Sequence, residues 1–452
     1  MGNSLIYSNV PLWTIHYAEA LEICLERLSI KENTYLLSCI GSLHSCPANP
    51  EHKKHLCKKC LRQTHWAEKY ILNKSCTFLT LPSLENEEVI KKLEDYFFED
   101  YFQLARFEYQ GFPAGQLVAS DLVDQTRDCF RSVGEEQDRI KKLLVNCISL
   151  YEYSIEMLIK YNIDSVYVWN GRRGSDGPVM YAAQHLGIKA FSFISGPVQS
   201  TYMIFEANCV HDLREGKRLI NSAIESISTD DFGRIASESD QFFTRQRYGL
   251  HTFPGSLSFN TYHVSKSPIQ SNLPILTIFT SSYWEFFGMS DYAECIYPNH
   301  YEGIERIISD NSITKIWQCV VRWHPNLQTC GSNEKRVIDA IIARTHSTTI
   351  HYRPDSDVDS YDVMNNSDAV ITFGSTLGVE ATYYRKPSIL LGRALYEDLN
   401  VCYRPNDHND LIKLLSSNCL EPLPQEEDQS AFRAFLRSPQ RVPDWQGVAR
   451  RY

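Results

Sequence analysis

The chain has 452 residues, 43% hydrophobic, 12% aromatic and 22% charged, and 45 Lys and Arg against 55 Asp and Glu leave a formal net charge of −10. That length allows two core-bearing domains, and the acidic balance excludes a nucleic-acid coat or a general attraction to anionic membranes while leaving room for a local cationic cleft. No run approaches the ~20 apolar residues of a membrane span, and the N-terminus lacks the basic start and apolar centre of a secretory signal, so a cytoplasmic protein is expected, with its fourteen cysteines mostly acting as small hydrophobes.

Residues 4–9 read as an apolar strand, 14–28 carry helical period, and 34–38 read as a second strand, a βαβ opening. A Cys/His-rich insertion over 39–65 precedes a strand at 76–81 and amphipathic helical stretches at 87–107, 117–132 and 135–161. The alternation then returns: a strand at 165–169, a Gly-rich loop at 170–178, a helix to Leu186 stopped by Gly187, and a strand at 189–194, with helices before residue 251. A Ser, Pro, Gly and Asn-rich stretch at 253–272 suits an interdomain linker.

Beyond it, strands at 275–280, 316–322, 348–352, 369–372 and 388–391 alternate with helices near 300–309, 333–343, 359–366, 377–384 and 410–415. Such alternation predicts parallel sheets covered by helices. The expected architecture is α/β, two Rossmann-like domains facing a cleft: residues 1–265 on the acceptor side with the insertion at 39–65, residues 266–420 on the donor side, and a tail over 421–452 that returns to the first domain.

Ligands of these sheets bind beyond the carboxyl ends of the strands. Gly374, Ser375 and Thr376 stand where a strand gives way to a helix and present small residues, hydroxyls and backbone N–H groups suited to a phosphate. Arg322, His324 and Pro325 follow another strand, Ser281, Ser282 and Glu285 follow the first strand of the second domain, and Arg393 follows the last. Together they offer the cations and hydroxyls a phosphate leaving group needs. Plainer readings stand beside these: a turn at His324 and Pro325, and a helix cap at Ser375 and Thr376. Glu380, one turn into the helix, reaches toward ribose hydroxyls or pairs with Arg385. Asp355 and Asp357 read as first-turn or capping acids rather than as ligands of a catalytic cation.

His324 with Pro325, Asp359 with Ser360 and Tyr361, the Gly374, Ser375, Thr376 run with Glu380, and Arg385, Lys386 and Pro387 before a strand resemble the donor half of bacterial capsule and lipopolysaccharide glycosyltransferases of the GT-B fold. The likeness is greatest to the group that includes Kdo and sialic acid transferases. It implies that His324, Ser375 and Thr376 hold the nucleotide phosphate of a nucleotide-sugar donor, and that the acceptor is a surface polysaccharide or lipid-linked glycan. It also implies a peripheral association with the membrane machinery that assembles such glycans, at the inner membrane. An inverting transfer without a catalytic metal is expected. It requires a base, for which Glu285 and His16 are both placed suitably, while Asn170, Gly171, Arg172, Ser281 and Ser282 suit sugar or acceptor contact. An epimerase or glycerol-phosphate transferase of the same fold, or a non-catalytic scaffold, are the competing readings.

Cys39, Cys46, Cys57 and Cys60 end in a Cys-x-x-Cys pair and could close a tetrahedral, structural zinc site. Unligated thiols, with Cys39 in the core, are the alternative.

Overall fold

In a parallel sheet covered on both faces, alternate side chains of every strand must be apolar in both directions. The computed structural model realises this twice. It describes residues 2–73, 75–196, 201–207, 209–226, 232–248, 269–293, 295–416, 420–423 and 449–451. Most of the expected linker and of the C-terminal tail lies outside these residues. The chain divides into a first unit of Met1–Gln125, Phe130–Glu215 and Pro443–Tyr452, and a second of Thr126–Cys129 and Gly216–Val442.

The first unit is built on β1 (Asn3–Tyr7), β2 (Asn33–Ser38), β3 (Thr77–Thr80), β4 (Ser165–Trp169), β5 (Lys189–Ser195) and β6 (Thr201–Phe205). Its order is β6, β5, β4, β1, β2, β3, and a strand at Ala449–Arg451 pairs antiparallel with β6. β6 is antiparallel to β5, and β1 to β5 are parallel. Leu5 and Tyr7 pack to one face with Val166, Val168 and the helices Gln137–Lys160 and Gly177–His185. Ile6, Tyr167 and Trp169 pack to the other with the helix Thr14–Ser29. Strands are added outward from β1 to β2 and β3, then on the opposite side from β4, so the order reverses between β1 and β4.

The second unit repeats the plan with β7 (Ile275–Phe279), β8 (Gln318–Arg322), β9 (Thr349–Tyr352), β10 (Ala369–Thr372) and β11 (Ser388–Leu390), all parallel in the order β11, β10, β7, β8, β9. Here the reversal lies between β7 and β10. The expected pair of Rossmann-like domains is therefore observed.

Several boundaries differ from expectation. The second unit begins near residue 216 rather than 266, because the helices Leu213–Glu225 and Phe232–Arg247 bury Ile220 and Phe243 against Val379, Leu390 and Tyr396. Phe243 stacks on Tyr383 at 3.9 Å between ring centroids. The 39–65 insertion contains a helix, Lys54–Tyr70, that shows little apolar pattern because it buries only Thr64 and Ala67. The stretch at 87–107 forms two short helices, Glu87–Leu93 capped by Asn86 and Tyr101–Ala105 capped by Asp100. The cap of the helix Ser360–Asn365 is Asp359, not Asp355 or Asp357, and Arg247 bonds the same carboxylate.

One cap comes from far away in sequence. Asp128 accepts hydrogen bonds from the backbone N–H groups of Asn333 at 2.9 Å and Glu334 at 3.2 Å, and so supplies the N-terminal cap of the helix Ser332–Thr345. The approach needs a glycine at 331, where an added Cβ would come within 2.3 Å of the Asp128 Cβ. Asp128→Ala should destabilise the fold by about 0.5–2 kcal/mol in denaturant melts, and Gly331→Ala should cost at least as much by displacing the same carboxylate.

Candidate functional site

In the second sheet, Phe279 lies in register with both Thr372 and Arg322. The loops after β10, β7 and β8 therefore leave one edge side by side, each strand about 5 Å from the next. The reversal between β7 and β10 makes this edge the expected ligand crevice. The sequence delivers to it Thr280, Ser281 and Ser282 after β7, His324 and Pro325 after β8, and Gly374, Ser375 and Thr376 after β10.

His324 is held firmly. Its backbone N–H donates to Thr280 Oγ1 at 2.9 Å, and its Nδ1 accepts the N–H of Asn326 at 3.2 Å while contacting Ser282 Oγ at 3.2 Å. Burial, helped by the Arg322 charge, pushes its pKa down to about 4. The ring is neutral at pH 7. Since Nδ1 takes a backbone N–H, the single proton sits on Nε2, the tautomer that donates to an oxyanion.

The remaining donor-side residues are more committed to the fold. Arg322 is buried and donates to the carbonyls of Trp323 at 3.0 Å and Arg353 at 2.8 Å, which pins the loop after β9. Ser375 Oγ accepts the Leu377 N–H at 3.2 Å, just before the helix Leu377–Tyr383, whose N-cap residue Thr376 makes no side-chain capping bond. Thr376 donates to Glu380 at 3.1 Å, and Glu380 also receives the Tyr361 hydroxyl. Arg393 donates to Glu397 at 2.9 Å, and Lys217 binds the same carboxylate. Burial would raise the Glu397 pKa, but these bonds and the Ala394 N–H hold it down at about 2. Gly374, at φ +121°, lets the chain pass so close to the Arg393 carbonyl that a Cβ would sit 2.7 Å from it. Glu285 accepts from Asn326 Nδ2 at 2.8 Å, which ties it to the His324 loop.

One feature here, His300, was not legible as a site residue, whereas Ser281 was expected at this edge. Ser281 Oγ and both ring nitrogens of His300 are buried without a hydrogen-bond partner. His300 lies among Tyr283, Phe286 and Phe373, and burial lowers its pKa to about 3. It opens the helix His300–Ser309, and only packing reveals its neighbours.

In the first unit, the reversal between β1 and β4 collects a second polar cluster. Asn170 and Gly171 turn the chain at φ +64° and +84°. Arg172 and Arg173 both bind Asp124, at 3.0 and 2.8 Å, and the Arg173 N–H donates to Asp176 at 3.0 Å. Asp121 lies 3.9 Å from Arg173. Burial pushes Asp121 up to about 7 and Asp176 up to about 6, against the opposing charge of Arg173. The buried Ser8 Oγ, Asn9 Oδ1, Asn170 Oδ1, Ser175 Oγ and Asp176 Oδ2 have no hydrogen-bond partner in the fold. So many unsatisfied polar atoms at one strand edge are what a polar ligand would satisfy. Asp121 and Asp124, three apart on one helix face opposite consecutive arginines, carried a spacing signal for this cluster.

His16 stands nearby in the same unit, its ring 5.0 Å from that of Trp169. Its Nδ1 contacts Glu19 at 3.3 Å and Ser195 Oγ at 3.2 Å, and Glu19 also receives the Ser195 hydroxyl. Glu19 is fully buried while His16 remains partly exposed. A carboxylate on Nδ1 places the neutral ring's proton there and leaves Nε2 basic, the opposite tautomer to that of His324.

Residues 293–408 match the model of a family described as capsule polysaccharide biosynthesis protein. That segment, about a quarter of the chain, contains His324, Pro325, Asp359, Gly374, Ser375, Thr376, Glu380 and Arg385, which are among the residues on which the sequence resemblance rests, and also Arg393. No curated protein matches the chain in sequence. Among solved structures, the beta-Kdo 2,4 transferase of Thermosulfurimonas dismutans KpsC is 12% identical at a TM-score of 0.37, covering 60% of this chain and 79% of that one. The beta-Kdo 2,7 transferase of the same KpsC is 12% identical at 0.40, with 66% and 84% covered. A UDP-GlcNAc 2-epimerase from Neisseria meningitidis is 11% identical at 0.26, with 98% and 96% covered. Among the described residues no helix is long and apolar enough to cross a membrane.

The Asp121 shift has a sign that can be measured. Between about pH 4 and pH 7 the folded chain holds a proton that the unfolded chain releases, so this group's contribution is greatest at the acid end and falls as pH rises. Asp121→Asn should flatten the decline in melting temperature across that window, and an unchanged pH slope would refute the assignment.

Proposed function

We propose that this chain is a glycosyltransferase of capsule-type polysaccharide synthesis, moving a sugar from a nucleotide-activated donor to a surface polysaccharide or lipid-linked glycan. The observation that carries the reading is His324: a neutral ring with its proton fixed on Nε2, at the carboxyl edge of a parallel sheet, inside the segment that matches the capsule-biosynthesis family. As the bond between sugar and phosphate breaks, negative charge grows on the phosphate oxygens. A neutral N–H donor on a ring already fixed by the fold can stabilise that charge with little reorganisation. Ser282 and Asn326 fix the ring, and Glu285 holds Asn326. Ser375, which only accepts the Leu377 N–H, keeps its hydroxyl proton to offer at the end of β10.

The first unit takes the acceptor. His16 Nε2 removes the proton of the acceptor hydroxyl, and Glu19 on Nδ1 stabilises the imidazolium that forms. Attack by that oxygen on the face opposite the phosphate inverts the anomeric centre, and the work asked of the protein is proton removal and phosphate stabilisation, for which no catalytic metal is invoked. Asn170, Gly171 and the neighbouring unsatisfied polar atoms offer hydrogen bonds to sugar hydroxyls. Such an enzyme acts on the cytoplasmic side, beside the membrane machinery that assembles the glycan.

A thermal-shift screen of CMP, CDP, UDP and GDP and their sugar conjugates should show one preferred nucleotide, since a ligand of the folded state raises its stability by mass action. His324→Ala should weaken that nucleotide by about 10- to 100-fold, the loss of one hydrogen bond to a charged group. His16→Ala should leave nucleotide affinity unchanged and reduce the transfer rate by about 10²–10⁴-fold. Turnover of the sugar without an acceptor, or nucleotide binding indifferent to His324, would overturn the proposal.

A further inference from the structure

The segment from residue 39 to the end of the helix Lys54–Tyr70 poses a stability problem. The helix has seventeen residues and buries only Thr64 and Ala67, so apolar packing does little to hold it. Yet its N-terminal turns are bound to a compound loop by sulfur and amide contacts. Cys39, Cys46, Cys57 and Cys60 all line a single cavity, together with Asn9, Leu43, Asn49 and His52. All four are free thiols.

Backbone donors converge on these sulfurs. The N–H groups of Gly41, Ser42 and Leu43 face Cys39, with Gly41 N at 3.4 Å from the sulfur, and those of Ala48 and Asn49 face Cys46. Gly41, at φ +97°, folds this turn onto the helix, where its Cβ position lies 3.8 Å from the Cβ of Cys57. Asn49 Nδ2 donates to Cys57 Sγ at 3.2 Å and to the Lys53 carbonyl at 3.1 Å, which joins the second loop to the same helix start. Each loop thus wraps its amides around one sulfur, and the helix adds two more sulfurs one turn apart. Neutral thiols have little use for so many donors, whereas a thiolate shell around a cation does.

We propose that Cys39, Cys46, Cys57 and Cys60 bind one zinc ion as a tetrahedral four-thiolate site that staples the loops at 39–49 to the helix. Among the described residues no group of three or more His, Cys, Asp or Glu side chains is placed to hold a metal ion as the chain stands. Binding therefore requires the four sulfurs to move inward from the cavity wall. Binding releases the four thiol protons, so zinc and four thiols give a site of net charge −2, which the loop amides, the positive helix start and Lys53, Lys54, Lys58 and Lys59 offset. Closed coordination by protein ligands makes the site structural. This assignment is independent of the transferase reading.

The full-length protein, purified under reducing conditions, should contain about one equivalent of zinc by elemental analysis. A Cys57→Ser and Cys60→Ser double variant should lose it, while Cys330→Ser retains it. Because the double variant could misfold, cobalt(II) is loaded into the wild-type chain after chelation. Intense tetrahedral d–d bands with sulfur-to-cobalt charge transfer support the site; weak octahedral bands refute it. Chelation should also lower the melting temperature and expose the 39–70 segment to protease, an effect reversed by zinc. A chain purified without zinc that takes up no cobalt overturns the proposal. So do iron with acid-labile sulfide and a disulfide among these cysteines.

Discussion

Parallel strand pairing is the constraint from which the chemistry of this protein follows. Because neighbouring strands run the same way and in register, residues that directly follow β7, β8 and β10 emerge at one edge although they are separated by up to about a hundred positions in the chain. The same holds for β1 and β4 in the first unit. The interiors of both sheets are apolar on both faces, so polar residues are admitted chiefly where strands end. The candidate sites are therefore the places where the packing rule is relaxed, and the buried polar atoms without partners concentrate there.

The two histidines show how one side chain is given opposite tasks by its neighbours. A backbone N–H directed at Nδ1 makes His324 a donor through Nε2, while a carboxylate directed at Nδ1 makes His16 an acceptor through the same atom. Neither assignment requires a charged ring in the resting protein. The nearby carboxylates are held elsewhere: Glu397 stays ionised between Arg393 and Lys217, and Glu380 is engaged by Tyr361 and Thr376.

Much of this was visible in the amino-acid sequence, and the exceptions have physical causes. The strands from β7 to β11 are short apolar runs bounded by polar turns, and the positions of His324 and Gly374 at strand ends followed from them. Glu19 stands three residues from His16 on one helix, a spacing that can be recognised, but Ser195 completes the set from 179 residues away. The helix Lys54–Tyr70 escaped because its face is nearly all polar. The helices over 213–247 were assigned to the wrong half because their apolar stripes say that something will cover them without saying what. Ser375 and Arg322 had the right chemistry for a phosphate, yet backbone N–H and carbonyl contacts already engage them.

The Asp128 cap has a consequence for how the chain is made. The helix it serves begins at Ser332, so when Asp128 leaves the ribosome the amides it will bind are some two hundred residues from existing. Residues 126–129 must wait for these partners while the first unit's later strands are synthesised. The second unit also cannot be released by a single cut, since a fragment starting at residue 216 would lack this carboxylate and would carry a fraying helix start in its place.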